Sequence, residues 1–369
     1  MTLVPASAAS GDDILYPSVI PFLAVHLGSF AAIWTGITWP AVALCVTLYW
    51  LRMFAVTAGY HRYFSHRSFA TGRVFQFILA FLAQSSAQKS VLWWAAKHRH
   101  HHLHSDAVED AHSPRHTGFV YSHVGWIFAR RNDLTEFAQV PDLARFPELR
   151  LLDKVEMAPV VLLGAFCFLV AGWPGLVVGF MWSTLLVWHA TFCINSLAHV
   201  SGTRRYVTGD DSRNNPFLAF LTMGEGWHNN HHAYPSSARQ GFRWWEVDVT
   251  WYILLLLARL GIVRNLKVPP PSVLRNEHML GVRAVQRAAE QLASCFDSEK
   301  IAQMIARARG RATETMESLH MPHIPTRAEF LARAKEMFAK TASLDLIVDR
   351  GHELLLASVS RHLEARATR

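Results

Sequence analysis

The chain has 369 residues, of which 51% are hydrophobic and 12% aromatic, and its formal net charge is +8. The length accommodates one large unit and an appendage, and the hydrophobic content is high for a soluble protein, which indicates a membrane protein with large polar parts. The basic residues form no tract typical of nucleic-acid binding, so we expect no nucleic-acid partner and an attraction to anionic lipid surfaces.

Two apolar segments follow a short N-terminal stretch. Residues 1–13 contain no Lys or Arg. A secretory signal peptide begins with a positively charged region, so we expect none here. Residues 14–34 and residues 39–54 are apolar and are separated by a short polar turn. They predict a helical hairpin through the bilayer, whose second helix runs on toward His61.

The first histidine cluster is His61-Arg62-Tyr63-Phe64-Ser65-His66. Five residues turn an α-helix by about 500°, so the two rings would not share a face, and we expect a helix end or a turn here. The next apolar stretch, residues 74–84, is too short to span a bilayer. We expect it to lie in the membrane interface or under a catalytic domain. The alternative is a third membrane span, which would separate the first and second clusters across the bilayer.

The second and third histidine clusters share one spacing. Both read H-x-x-H-H, and positions i, i+3 and i+4 lie on one side of a helix, so each cluster is predicted to point its imidazoles at one spot. Their members are His98, His101 and His102, and then His228, His231 and His232.

A second hairpin is predicted between these two clusters. Residues 157–171 and 176–197 are apolar and are joined by Trp173-Pro174-Gly175. The connections inside both hairpins contain no Lys or Arg, whereas the segment between the hairpins contains many. The positive-inside rule therefore predicts that both tips lie outside and that the clusters and both termini are cytoplasmic.

Three further polar residues lie in the last apolar segment. Asn195 and His199 are four residues apart at its end, and this spacing alone leaves open a polar pair that meets water. His189 lies deeper, and we expect it to be a buried structural histidine bonded to a neighbour.

The clusters indicate a metal site. Structural zinc usually takes four ligands that include cysteine, whereas eight clustered histidines without cysteine exceed what one ion needs. Imidazole binds iron, copper, nickel and zinc alike, so two ions with open positions for oxygen are predicted. The other central histidines are expected in supporting or surface positions, and the C-terminal ones are given no metal role: His100, His104, His112, His116 and His123, then His320, His323, His352 and His362.

The composition changes after Pro269-Pro270-Pro271, because consecutive prolines stop a helix. Before this boundary, residues 242–260 predict an aromatic helix associated with the membrane. Beyond it, residues 277–312 and 327–369 have helical periodicity. We predict an N-terminal segment (1–13), a membrane-embedded domain (14–270) and a helical extension (271–369). The extension packs on the core or on another copy, or alternatively docks an electron donor or the membrane.

The motifs H-R-x-x-S-H, H-R-x-H-H and G-E-G-x-H-N-x-H-H resemble those of membrane fatty acyl desaturases of the stearoyl-CoA desaturase type. The resemblance covers about residues 15–270. It implies an all-α, multi-pass fold in which four transmembrane helices, in two hairpins, lie under a cytoplasmic helical domain that holds a non-haem di-iron centre. It also implies a ninth histidine and an asparagine that reaches the metal through water. The implied ligands are His61, His66, His98, His101, His102, His199, His228, His231 and His232, with Asn195 through water.

The resemblance further implies an O2-dependent enzyme that introduces a cis double bond, at delta-9, into a saturated acyl chain on CoA or phospholipid. Breaking an alkyl C–H bond requires an oxidant that side chains do not provide, and activated oxygen on iron supplies it. The sequence has no H-P-G-G haem motif, so the electrons are expected from a separate ferredoxin-like or cytochrome b5-like protein with its reductase.

The sequence is also compatible with two other functions. Related membrane hydroxylases and alkane monooxygenases also use eight-histidine sets. A non-catalytic metal binder or transporter would carry polar residues along several spans, whereas here they gather at one end. The G-E-G-x-H-N-x-H-H and N-S-x-x-H forms favour the desaturase. Double-bond position, chain length and carrier are not fixed by these motifs.

Overall fold

The structure, a computed structural model, describes residues 14, 16–275, 281, 282, 284–286, 289, 290 and 326–340. Contacts between Cα atoms divide the chain into two units, Met1–Arg204 with Asp211–Pro269, and Arg205–Asp210 with Pro270–Arg369. The described chain is mostly helical, as predicted, and its two strands β1 (Ala70–Thr71) and β2 (Val263–Arg264) form a short antiparallel pair.

The helices of the first unit are mostly short, and several are extended by π-helical or 3₁₀ turns. In chain order they are α1 (Tyr16–Ser29), α2 (Ala32–Thr35), α3 (Trp39–Phe54) with a π-helical continuation (Ala55–Ser65), α4 (Arg73–Gln84), α5 (Val91–His104), α6 (Pro114–Thr117), α7 (Phe119–His123), 3₁₀ turns at Gly125–Phe128, Arg130–Asn132 and Phe137–Gln139, α8 (Pro141–Ala144), α9 (Pro147–Lys154), α10 (Ala158–Pro174) with a π-helical continuation (Gly175–Trp182), α11 (Ser183–Asn195), a 3₁₀ turn at Leu197–His199, α12 (Pro216–Leu221), α13 (His228–Ala233) and α14 (Val249–Arg259).

Two helical runs in the described chain are long and apolar enough to cross a membrane. Trp39–Ser65 has 27 residues and a mean hydropathy of 1.7, and Ala158–His199 has 42 residues and a mean hydropathy of 2.2. About 20 helical residues span the hydrocarbon core of a bilayer, so the second run has the length of two crossings. Shorter apolar helices cover Val19–Thr35, Arg73–Gln84 and Val249–Arg259.

The longer run folds back on itself. Ala171 and Gly172 leave helical geometry, and Gly172 has a φ of +60°, a conformation that glycine adopts without a steric penalty. Gly164 on one arm faces Leu176 and Phe180 on the other, so the arms are antiparallel. The chain therefore reverses at Ala171 and Gly172, directly before the predicted connection Trp173-Pro174-Gly175.

The helix α4 packs closely against the π-helical segment that carries the first histidine cluster. Gly59 lies at this contact, where a Cβ atom would make ordinary van der Waals contacts, 3.4 Å from the carbonyl oxygen of Leu79 and 3.6 Å from Cβ of Ala83. Tyr60 and Leu79 are almost fully buried in the same core. This apolar stretch therefore packs against the segment that carries the first cluster, and its position relative to a membrane stays a prediction.

The second unit contains α15 (Pro271–Leu274) and α16 (Arg327–Lys340). At the start of α16, Glu329 N–H donates to Thr326 Oγ1 at 3.3 Å, and Thr326 N–H donates to Glu329 Oε2 at 2.8 Å, which is a capping box. Ala334 packs with Val207 and Ala289. Most of the predicted C-terminal helical stretches, with His320, His323, His352 and His362, lies outside the described residues.

We expect Gly175→Ala to destabilise the fold. A Cβ atom at Gly175 would lie 2.2 Å from the carbonyl oxygen of Cys167, so the two arms would have to separate. Overpacking of this kind costs about 1–3 kcal/mol. Gly72→Ala is the matched control, because a Cβ there meets nothing within 4 Å. Thermal unfolding of the detergent-solubilised protein measures the effect, and equal melting temperatures for the two variants would contradict this packing.

Candidate metal centre

The first histidine cluster lies at the end of a π-helical segment. The N–H of His66 donates to the carbonyl of His61 at 3.2 Å, an i→i+5 bond typical of π-helix. His66 therefore follows His61 after little more than one turn, and the ring centroids are 4.8 Å apart. The prediction that these rings do not share a face is wrong, because it assumed α-helical winding. The predicted helix end is confirmed at Ser65.

The second and third clusters each lie on one helix, but the rings within each cluster face two different sets of histidines. On α5, the rings of His98 and His102 are 4.7 Å apart, whereas His101 faces the ring of His199 at 5.6 Å. A residue at i+4 is displaced by about +40° around an α-helix and a residue at i+3 by about −60°, so the two diverge. The prediction that all three imidazoles of a cluster point at one spot is wrong for this reason.

All nine predicted histidines come together in two groups. In each group one ligand atom from every residue lies within 4.8 Å of the others. The five-histidine group is His61, His66, His98, His102 and His231, and the four-histidine group is His101, His199, His228 and His232. Because Nε2 atoms of His66 and His98 are 2.8 Å apart, the first and second clusters lie on one side of any membrane, which excludes the spanning alternative for residues 74–84.

Carboxylates hold the outer nitrogens of three of these rings. Nδ1 of His199 lies 2.8 Å from Asp106, Nδ1 of His101 lies 3.0 Å from Asp110, and Nδ1 of His61 contacts Glu225. A carboxylate accepts a hydrogen bond from Nδ1–H, so the neutral ring keeps its proton at Nδ1 and presents its lone pair at Nε2. These carboxylates therefore orient the rings with their lone pairs toward the centre of each group.

The inward nitrogens are unusually close. The Nε2 atoms of His61 and His231 are 3.0 Å apart, and those of His199 and His228 are 3.1 Å apart. Burial, followed by the charges of neighbouring histidines, holds the pKa of His66, His98, His102 and His231 well below 6.5. Neutral rings with converging lone pairs repel one another unless a cation lies between them. The donor set thus fits a divalent transition metal in each group.

The carboxylates Asp106, Asp110 and Glu225 were not among the predicted site residues. Burial would raise the pKa of Asp106, but the charge of His199 and hydrogen bonds from His199, Ser113 and the Asp211 N–H hold it below its usual range. The signal was available, because metal-binding histidines usually donate their other N–H to a carboxylate. Asp106 and Asp110 follow the second cluster directly, and Glu225 begins the third.

A buried arginine connects the first and third clusters. Arg62 donates from Nε to Glu225 at 3.1 Å, from Nη1 to Asp248 at 3.1 Å and to the carbonyl of Ala238 at 2.7 Å. Glu225 in turn contacts His61. Arg62 therefore fixes the loop before α13 against the helix that carries His61, although the two segments are far apart in sequence.

Four central histidines that were given no ligand role lie outside both groups. His100 and His104 stack on each other at 4.6 Å, and His116 bonds to the carbonyl of Asp106. His112 packs against His101 at 4.4 Å, and burial lowers its pKa to about 3. Their supporting or surface roles stay a prediction, and His112, with His101 and Asp110, belongs to a further set of side chains close enough to hold an ion.

A cavity of about 270 Å³ adjoins the five-histidine group. His98 lines it, as does Asn195 at the end of α11. Its remaining walls are largely aromatic and apolar, with a polar portion around Lys89, Asp133 and Glu156; the aromatic residues are Phe22, Trp93, Trp94, Trp126, Phe128, Trp188 and Phe192.

Comparison with known proteins agrees with this geometry. The model of the fatty acid desaturase family matches residues 37–261, which is more than half of the chain and includes all three clusters. The chain belongs to the fatty acid desaturase family. This desaturase is therefore an oxidoreductase of lipid metabolism in a membrane-associated family, as its motifs predicted.

Several named desaturases are similar to this one over most of their length. The sn-1 stearoyl-lipid 9-desaturase of Anabaena variabilis is 38% identical over 267 residues, which cover 71% of this chain and 97% of the relative. The sn-2 palmitoyl-lipid 9-desaturase of Nostoc sp. (strain 36) is 33% identical over 269 residues, which cover 71% and 94%. An acyl-CoA 5-desaturase of Anemone leveillei is 39% identical over 236 residues, which cover 63% and 73%.

We expect Asp106→Asn to weaken metal binding by the desaturase. The amide keeps the shape of the side chain but loses the charge that holds Nδ1–H of His199, and such changes cost about 10- to 100-fold in metal affinity. Glu148→Gln is the control, because it removes one carboxylate that pairs with Arg73 far from the histidines. Equilibrium dialysis with Fe²⁺ measures affinity. Equal affinities for the two variants would show that Asp106 does not support a ligand.

Proposed function

We propose that this desaturase introduces a cis double bond, at delta-9, into a saturated acyl chain carried on CoA or phospholipid, with O2 as co-substrate and a di-iron centre. The observation that carries the proposal is the position of the apolar cavity, whose wall includes His98 of the five-histidine group. An acyl chain in this cavity would lie beside a metal in that group.

The cavity walls supply binding and position. Each buried methylene contributes about 0.8 kcal/mol, so an apolar cavity holds an alkyl chain without any polar contact. Trp93, Trp94 and Trp188 are rigid aromatic walls that restrict where the chain bends and exclude water. The carbons that face the metal are therefore selected by the distance along the cavity from the carrier end, which sets the double-bond position.

We assign one iron ion to each histidine group. The five-histidine group offers five nitrogens and the four-histidine group offers four. The four-histidine group offers one nitrogen fewer, so we propose that its ion also binds a water molecule. Asn195, four residues before His199, is our candidate to hold that water. Iron bound in these groups would supply the oxidising chemistry that no side chain provides.

The overall reaction removes two hydrogens from adjacent carbons. It balances as R–CH2–CH2–R′ + O2 + 2 e⁻ + 2 H⁺ → R–CH=CH–R′ + 2 H2O. The two electrons come from a separate ferredoxin-like or cytochrome b5-like protein with its reductase. Exposed basic residues would attract an acidic donor to the surface near α9; they are Arg130, Arg131, Arg145, Arg150 and Lys154.

The relatives support delta-9 chemistry. The two relatives that are covered over 94% and 97% of their length are named as lipid 9-desaturases. An acyl-CoA 5-desaturase is equally similar in identity but is covered over 73%. We therefore propose delta-9 as the position of the double bond. The experiment below distinguishes CoA from phospholipid as the carrier.

We further propose four membrane crossings in two hairpins, with both tips outside and with the histidine groups and both termini in the cytoplasm. The first hairpin comprises Val19–Thr35 and the start of Trp39–Ser65, and the second comprises the two arms of Ala158–His199. The reversal at Gly172 supports the second hairpin. The membrane-embedded domain would then end near Pro270, between the N-terminal segment 1–13 and the extension 271–369.

Expression in a host that lacks its own delta-9 desaturase tests the function. We expect cis delta-9 monounsaturated fatty acids, identified by mass spectrometry with double-bond localisation, and we expect none from the His98→Ala variant. A pulse of labelled saturated acid, followed by separation of acyl-CoA and phospholipid, shows which pool is desaturated first. Double bonds at another position, or hydroxylated acids of the kind that a membrane hydroxylase makes, would contradict the proposal.

A further inference from the structure

The helical extension holds a short loop that is far from it in sequence. Contacts between Cα atoms group Arg205–Asp210 with Pro270–Arg369 in the second unit, although the residues on either side of the loop belong to the first unit. Val207 of this loop is buried against Ala289 and Ala334. The partly buried side chains around this contact also belong to the extension; they are Val285, Leu331 and Met337.

Gly209 brings the backbone of the loop against the backbone of the extension. Its φ is +78°, and a Cβ atom at this position would lie 2.7 Å from Cα of Ala284. Glycine adopts this φ without a steric penalty, whereas a side chain here would force the two backbones apart. Within the loop, Thr208 Oγ1 donates to Oδ1 of Asp210 at 2.7 Å, and Asp210 is buried. The loop is therefore closely packed within the second unit.

The loop continues directly into a segment, Asp211–Asn214, that supports the metal centre in the first unit. The N–H of Asp211 donates to Oδ2 of Asp106 at 2.8 Å, and the same oxygen lies 2.8 Å from Nδ1 of His199. One carboxylate oxygen therefore bonds both to this segment and to a ring of the four-histidine group. Displacement of Asp211 would remove one of the two bonds that fix this oxygen.

The same segment bonds to both elements on either side of it. The N–H of Arg213 donates to the carbonyl of Ala198 at 2.8 Å, in the 3₁₀ turn that ends at His199. Asn214 Nδ2 donates to Oδ1 of Asn230 at 2.8 Å, and the N–H of Asn230 donates to Oδ1 of Asn214 at 3.1 Å. Asn230 lies on α13, the helix of the third cluster. The segment therefore joins two elements that carry rings of the four-histidine group.

The hydrogen bond from Asp211 to Asp106 depends on the position of the loop. The donor N–H belongs to the planar peptide group that joins Asp210 to Asp211, so it moves with Asp210, the last residue of the loop. Arg115 lies 2.5 Å from the Asp211 carboxylate, but this ion pair restrains the side chain and not the peptide group. Arg204, which precedes the loop, lies 3.8 Å from the same carboxylate, and a partly exposed contact of this length contributes little.

We infer that the helical extension positions the four-histidine group, because it holds Arg205–Asp210 where the N–H of Asp211 bonds to Asp106. Asp211 is thus a positioning residue, which acts on His199 through Asp106. The inference rests on the proposed function, in which each histidine group holds one iron ion. The five-histidine group is supported separately by Glu225, which contacts His61. Loosening the loop should therefore weaken one metal site and leave the other unchanged.

Two alanines on α16 provide a matched pair of variants in the full chain. Ala334 is buried against Val207, whereas Ala332 on the same helix is exposed. Ala334→Asp places a carboxylate in this apolar contact and should separate the loop from the extension, because a buried charge without a partner is costly. Ala332→Asp adds the same charge to the same helix at an exposed position. A difference between the two variants therefore reports the contact with the loop.

Equilibrium dialysis of the detergent-solubilised variants with Fe²⁺ tests the effect on the metal centre. We expect Ala332→Asp to bind two ions with wild-type affinity. In Ala334→Asp, one ion should bind about tenfold more weakly, the lower range for lost support of a ligand, while the other keeps its affinity. Equal affinities in the two variants, or an equal weakening of both ions, would overturn the inference.

Hydrogen exchange of the metal-free protein tests the coupling without iron. The Asp211 amide should exchange faster in Ala334→Asp than in Ala332→Asp, because its hydrogen bond to Asp106 opens more often. Equal exchange rates at Asp211 would overturn the inference whatever the iron content. If the wild-type protein binds fewer than two ions, the proposed assignment of one ion to each group is wrong, and the exchange rates still show whether the extension holds Asp211.

Gly209→Ala provides a second variant if Ala334→Asp does not fold. The added methyl group pushes the loop away from Ala284 and should produce the same weakening of one ion and the same faster exchange at Asp211. Gly36→Ala is its matched control, because Gly36 has the same φ of +78° but a Cβ atom there meets nothing within 4 Å. The two variants share the backbone strain and differ in the contact with the extension. Equal iron affinity and equal exchange in both would contradict the inference.

Discussion

The architecture depends on the convergence of neutral imidazole nitrogens. In the five-histidine group, Nε2 of His102 lies 3.1 Å from that of His98 and 2.9 Å from that of His231, in surroundings from which water is largely excluded. Lone pairs held this close are favourable only around a shared cation, since burial disfavours protonation of the rings. The surrounding elements hold the rings in place against this repulsion.

The restraints come from segments that are far apart in sequence. Asp106 follows the second cluster and holds His199, which is 93 residues away, and Arg62 in the first cluster holds Glu225, which is 163 residues away. The helices alone would not fix the ring orientations, because imidazoles on exposed helix ends rotate freely. The buried carboxylates and Arg62 therefore convert three separate motifs into one centre.

The sequence indicates most of the residues that form the metal centre, but it indicates less about how they are divided between the two groups. Eight of the nine histidines were predicted because they are clustered in the linear sequence, whereas His199 was predicted only through the resemblance to the desaturases. The assignment of His98 and His102 to one group and of His101 to the other was not predicted. It depends on the angle of about 100° between neighbouring residues around an α-helix and on which elements face each side of α5, and spacing does not describe the latter. The pairing of His61 with His66 required π-helical winding, for which periodicity gives no signal.

The partners of His189, which are His26 and His123, were also not predictable from the sequence. These residues lie on three separate helices, and none has a spacing that relates it to another. Only tertiary packing of α1 and α7 against α11 brings their nitrogens within about 3 Å, the usual hydrogen-bond distance. The predicted bond of His189 to a neighbour is confirmed, but the prediction that it is buried is wrong, because its side chain is exposed. Local patterns thus identified the metal-binding chemistry, whereas contacts between distant elements determined how the rings are held.

We propose that the nine histidines hold two ions, one in each group. Elemental analysis of iron-replete, purified protein measures this number, with the wild type and His199→Ala compared side by side. We expect two iron ions per chain for the wild type and one for His199→Ala, whose five-histidine group is intact. A single zinc ion in the wild type, or an unchanged iron content in His199→Ala, would contradict it.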